Sequence, residues 1–124
     1  MKAVLCRQHG PPSSLLVEDV PDPVAGPGEL VVDMRAAGVN FPDLLIIQNK
    51  YQHKPPLPFT PGAELAGLVS SIGTSVEGFR VGDRVVATSM TGAFAERTRV
   101  AVGSVALIPD TVSFDTAATL SLAY

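Results

Sequence analysis

The chain has 124 residues, 46% hydrophobic and 17% charged: enough apolar material for one packed core, and too much for a disordered chain. Its formal net charge is −3 and its basic residues are scattered, which argues against a nucleic-acid or anionic-membrane surface. A single cysteine, Cys6, rules out an internal disulfide and suits a reducing compartment, and no apolar run approaches the roughly 18 residues of a membrane span. The first residues are too short an apolar run for a signal-peptide core, so a cytoplasmic protein is expected.

Glycine and proline number 11 each, an excess that points to short strands joined by tight turns. Lys2 to Arg7 and Leu15 to Val20 predict two strands, separated by Gly10-Pro11-Pro12. A breaker-rich loop, Pro21 to Gly28, follows. Glu29 to Val39 alternates, with Leu30, Val32, Met34 and Ala36 on one face and Asp33 and Arg35 on the other. Val31 and Ala37 share that second face, so it is only partly wetted. At Phe41 to Gln48 the period changes to that of a short helix, with Asn40 or Phe41 at the cap, Pro42 at an early position and Asp43 in the first turn. The run Pro55, Pro56, Pro58, Pro61, Gly62 ends it.

Glu64 to Ile72 predicts a strand in which Gly67 marks a bulge or a close backbone approach. Arg84 to Thr88, Gly92 to Val100 and Val105 to Ile108 predict three more. About seven short strands with turns every 8–12 residues argue for a β-barrel or sandwich. Ser113 is a plausible N-cap for a last helix, with Asp115 in its first turn and Ala117, Ala118, Leu120 and Leu122 continuing the pattern. No glycine, basic turn or proline announces its end. A helix running on into a further domain is the favoured reading; a native helix capping a barrel end is the other.

Residues able to do chemistry gather between Ala36 and Gly67. A catalytic zinc needs about three protein ligands. Cys6 and His9 fall on opposite faces of the expected strand and His53 has no cysteine near it, so no metal is expected. Asn40 carries a donor and an acceptor in one neutral amide. It suits either a pocket mouth, holding a carboxamide or carbonyl, or a helix cap, and from the residues alone the cap is the stronger reading. Asp43 could orient a substrate or simply complement the helix dipole. Tyr51 is the best proton donor of the stretch, although an ordinary phenol with a pKa near 10 is a weak acid at neutral pH. Glu64 is read as structural, with Arg84 a candidate partner, and His53 as a solvated loop residue. No G-x-S-x-G turn and no dinucleotide fingerprint occur.

The segments GVNFPD (Gly38 to Asp43), KYQHKPPLPFTPGAELAG (Lys50 to Gly67), VGDRV (Val81 to Val85), GAFAERTRV (Gly92 to Val100) and IPDTVSFDTAATLSLAY (Ile108 to Tyr124) follow in one order over essentially the whole chain. Together they resemble the N-terminal, GroES-like domain of zinc-independent NADPH:quinone oxidoreductases, the zeta-crystallin-like branch of the medium-chain dehydrogenase/reductase superfamily. The resemblance implies a mainly β fold: a partly open GroES-like barrel with one short internal helix and the start of a C-terminal helix. Residues 1–124 would form the substrate-side, catalytic domain, ending at the linker helix to a Rossmann domain that lies outside them. The implied reaction is hydride transfer from NADPH to a quinone or enone, the cofactor supplying the chemistry. By the same resemblance Asn40 lies beside the nicotinamide, and Asp43 and Tyr51 lie at the substrate cleft. Zinc relatives carry Cys where Asn40 stands and His where Ala63 stands, so no metal is implied. Leu45 and Asn49 depart from the family pattern, which often has an aromatic and a glycine there. A homo-oligomeric full-length protein is implied, with no nucleic-acid or membrane partner. The 124 residues alone are expected to be inactive and to self-associate through Leu120, Leu122 and Tyr124. A stand-alone binding or interaction module is the alternative.

Overall fold

The structure, a computed structural model, describes the backbone of residues 1–123 and the side chains of residues 1–119. β1 (Lys2–Leu5) and β2 (Leu16–Asp19) form a two-stranded antiparallel ribbon. A five-stranded antiparallel sheet contains β3 (Glu29–Gly38), β4 (Glu64–Ile72), β5 (Arg84–Thr88), β6 (Arg97–Ala101) and β7 (Val105–Leu107). Its order, β6-β3-β4-β5-β7, leaves β6 and β7 as ends. The ribbon joins through single bridges, Ala3 to Ala95 and Cys6 to Phe59, so the barrel is partly open. Two helices, α1 (Phe41–Ile47) and α2 (Phe114–Ala123), complete the fold, with the Ser113 hydroxyl accepting the Thr116 N–H at 3.1 Å as the expected cap. No helix among the described residues is long and apolar enough to cross a membrane.

The core lies between the faces of the long strands. Leu30, Val32, Leu65, Val69 and Val85 are buried in one cluster, each worth roughly 1.5–3 kcal/mol relative to exposure. The other face of the sheet is covered by α2, whose Ala117 and Ala118 pack on Ala66, Ala36 and Val86. Small residues on both sides let the helix approach closely. A third cluster, Cys6, Ile46, Ile47 and Phe59, fastens α1 to the chain after β1.

Two expectations change. The alternation placed Ala36 with Leu30, Val32 and Met34, but the β3–β4 register slips between Met34 and Ala36, leaving Arg35 as an extra residue. The bulge turns Ala36 to the α2 side and brings Ala37 to the core with Met34. The strand expected over Gly92 to Val100 begins only at Arg97. Before it the chain divides its hydrogen bonds: the Phe94 carbonyl accepts from Val4 N–H at 2.8 Å, while the Glu96 carbonyl accepts from Met34 N–H at 2.9 Å. Bonding to two different strands breaks the regular ladder there.

Gly67 sits opposite Met34 at the bulge. A β-carbon at Gly67 would collide with the Asp33 carbonyl oxygen and lie 2.9 Å from Val32 Cγ1. The predicted close backbone approach is therefore the reason for the glycine.

Candidate functional site

The site is built where β3 ends and α1 begins. Gly38, the last residue of β3, pairs in register with Glu64, the first of β4. Asn40 follows at the N-cap of α1 in extended conformation. Asp43 reaches back, its Oδ2 accepting the Asn40 backbone N–H at 2.8 Å, and the Asn40 carbonyl accepts the Asp43 N–H at 3.0 Å. The Asn40 side chain turns to the neighbouring strand, its Nδ2 donating to Glu64 Oε1 at 3.2 Å. Asp43 is 4% exposed and Glu64 1% exposed, so two acids meet Asn40 inside the protein. Burial pushes the Asp43 carboxyl above its ordinary value; the Asn40 N–H bond pulls it partly back, and the charge of Glu64 adds to the rise.

Beside this cluster lies a cleft of about 510 Å³, lined by Pro42 and Ile46 of α1, by Tyr51 and Ala63, and by Thr88 to Met90 with Ser104. None of these side chains is charged. Hydroxyls of Tyr51, Thr88, Ser89 and Ser104 are the polar groups of an otherwise apolar wall, which suits a flat ring with a few oxygens. Tyr51 is half-buried and also packs against the α1 cluster. A larger cavity of about 740 Å³ shares Thr88, Ser89, Met90 and Ser104 and continues toward Asp22, Glu29 and Arg99.

The structure thus brings Asn40 and Asp43 together and places Tyr51 on the adjoining cleft; Asn40 and Asp43 are not among the residues lining it. His53 is half-buried and also absent from the lining. Arg84 does not meet Glu64: it stands at the far end of the β4–β5 pairing, opposite Leu68. Its guanidinium donates instead to the carbonyls of Pro109 and Val112, at 2.6 and 2.7 Å, and lies 4.4 Å above the Phe114 ring. Asn49, in place of the usual glycine, holds a left-handed φ of 60°, a conformation asparagine tolerates. Among the described residues no group of three or more His, Cys, Asp or Glu stands close enough to hold a metal ion.

Sequence reasoning missed Thr88, Ser89, Met90 and Ser104. Ser89 and Met90 follow β5 directly, a common place for site residues, while Thr88 ends that strand and Ser104 lies in the turn before β7. It also missed the bond between Asn40 and Glu64, for which a separation of 24 residues gives no local sign.

The sequence matches the alcohol dehydrogenase GroES-like domain family over residues 26–110. It is 41% identical over 123 residues to the mouse quinone oxidoreductase-like protein 2, covering 99% of this chain and 35% of that protein. It is 41% identical over 102 residues to the human synaptic vesicle membrane protein VAT-1 homolog, covering 82% of this chain and 26% of that protein. The fold superimposes on the Escherichia coli quinone oxidoreductase complexed with NADPH with a TM-score of 0.92 and 31% identity, over 97% of this chain and 37% of the other. The chain spans between a quarter and two-fifths of the length of the curated relatives it matches.

Proposed function

The chain belongs to the alcohol dehydrogenase GroES-like domain family, and on that premise we propose that it forms the substrate-side domain of an NADPH-dependent quinone or enone oxidoreductase. The observation that carries this reading is the uncharged cleft edged by Tyr51 and Ala63, the latter directly preceding the Glu64 that bonds the Asn40 amide. Relatives described as quinone oxidoreductases, one solved with NADPH, support it.

The residues fit a nicotinamide ring. The cleft offers a neutral, ring-sized space, and Asn40 offers an amide able to bond a carboxamide. NADPH, when bound, supplies the hydride. In this reading the cleft walls hold the quinone or enone flat and keep water from it. Asn40 contacts the cofactor, and the Tyr51 hydroxyl is the group able to give a proton to the reduced oxygen. Asp43 serves the site through the first turn of α1, by holding the Asn40 backbone in place. The zinc-independent reading rests on the resemblance and on donor chemistry: Ala63, on the cleft wall, has no side-chain atom to offer a metal, and Asn40 stands where zinc relatives carry a cysteine. The cofactor phosphates would be held by a Rossmann-type domain, since these residues contain no glycine-rich phosphate turn. A cytoplasmic, homo-oligomeric whole protein completes the proposal.

The test is NADPH oxidation by the complete polypeptide in which this chain occurs, with a quinone and an enone as acceptors. Turnover is expected with at least one of them, and Ala63→Phe, which fills the cleft, should raise the acceptor KM about tenfold, a loss of about 1.4 kcal/mol. The 124-residue chain alone should show no oxidation above the rate without protein. No turnover by the complete polypeptide with either acceptor would refute the proposal.

A further inference from the structure

Resting on the reading of the uncharged cleft as the acceptor site, we propose that this site is bipartite: a flat ring lies in the cleft, and an acidic chain on that ring runs past Met90 to the Arg99 guanidinium in the larger cavity.

Three observations carry this. The first is continuity. Thr88, Ser89, Met90 and Ser104 line both the cleft of about 510 Å³ and the cavity of about 740 Å³, so the two spaces share one wall. The second is the character of that wall. The Ser89 hydroxyl donates to the Thr91 carbonyl at 2.7 Å, which folds the loop after β5 back on itself. Met90 between them is 57% exposed, and its unbranched thioether can turn aside to let a chain through. The third is charge. The cleft lining carries none, whereas the larger cavity holds Asp22, Glu29 and Arg99. Both acids are committed within the chain. Asp22 pairs with Arg97 and with the Met1 amino group, each at 3.1 Å, and Glu29 Oε1 accepts the Gly26 N–H at 2.9 Å. Arg99 is held less: among the described residues its one ionic partner is Glu29, Nε to Oε2 at 3.6 Å, beyond hydrogen-bond length. The guanidinium therefore keeps donors for a ligand, and its planar fork matches a carboxylate. Two acids on the same walls disfavour a doubly charged group such as a phosphate. The substrate class selected is a quinone or enone bearing a chain that ends in a single carboxylate.

The test uses the complete polypeptide with NADPH and benzoquinones carrying an alkyl carboxylate of graded length, each beside its methyl ester and the unsubstituted ring. For at least one length the acid should have a KM about fivefold below that of its ester, the size of an exposed charge pair. The kcat values should be alike, because the reacting ring is the same. Arg99→Gln should remove the preference and Arg99→Lys should retain most of it. Arg80→Gln, which takes the same charge from a separate cavity, should leave it intact. Titration of the same acids and esters against the polypeptide without NADPH reads the preference as a ratio of dissociation constants, with no turnover required. No acid bound better than its ester at any length, or a preference that survives Arg99→Gln, would overturn the proposal. An unsubstituted ring that is not reduced would instead overturn the functional reading, and the titration would still decide the role of Arg99.

Discussion

Asp43 shows how one residue can cost and contribute at once. Its carboxyl anchors the start of α1 through the Asn40 N–H, yet it is buried and stands near a second acid, so its proton is held more tightly than in water. A carboxyl whose folded pKa lies above its unfolded one adds most stability below the ordinary carboxylate range, and that contribution is lost as pH rises through the raised value. Asp43→Asn keeps an acceptor for the cap and removes the titration. The stability of the native chain relative to this variant should therefore fall as pH rises from the ordinary carboxylate range upward. Urea unfolding at a series of pH values measures it, and a native chain that gains stability relative to the variant as pH rises would contradict the burial argument. Gly67 makes a simpler case. A methyl group there meets backbone that cannot swing aside, so Gly67→Ala should cost roughly 1–3 kcal/mol by overpacking, read as a lowered urea midpoint. That glycine was legible in the sequence because nothing else explains one inside a strand of apolar residues.

Among the elements, α2 depends on a clamp from another strand. Arg84, at the start of β5, ties down the turn before α2 with two carbonyl bonds and stacks on Phe114, the first helical residue. A planar fork suits two carbonyls and a ring at once, and an ammonium does not. Arg84→Lys should destabilise by roughly 1–2 kcal/mol. Amides of residues 110–118 should lose hydrogen-exchange protection before those of β1 and β2, and uniform loss would argue against a local clamp. The sequence placed Arg84 in a strand and α2 at its N-cap. It gave no hint that the two are joined, since an arginine reaches far enough to choose among several partners. The bulge at Arg35 was hidden for a related reason. Alternation continues on paper through Ala36, and only the pairing with β4 reveals the extra residue.

For the molecule as a whole, the exposed apolar surface matters most. Val39 is 74% exposed and Phe41 69%, flanking Asn40 at the start of α1, with Leu44 close by at 37%. The self-association expected from Leu120, Leu122 and Tyr124 concerns side chains outside the described residues; these three supply a described basis for it. The isolated chain should associate with rising concentration, and Phe41→Ser should weaken this without lowering the melting temperature. Sedimentation that finds a monomer throughout would count against it.

By itself the sequence determined where strands run, where α1 starts and which ordered motifs tie the chain to its family, because period, breakers and caps act over a few residues. Tertiary structure decided the rest: that Glu64 belongs to Asn40 and not to Arg84, that Ala36 faces α2, and that Thr88 to Met90 and Ser104 complete the cleft beside Tyr51. These depend on strand register and on which loops meet in space. Both are settled by the sum of many distant contacts, to which no short stretch of residues holds the key.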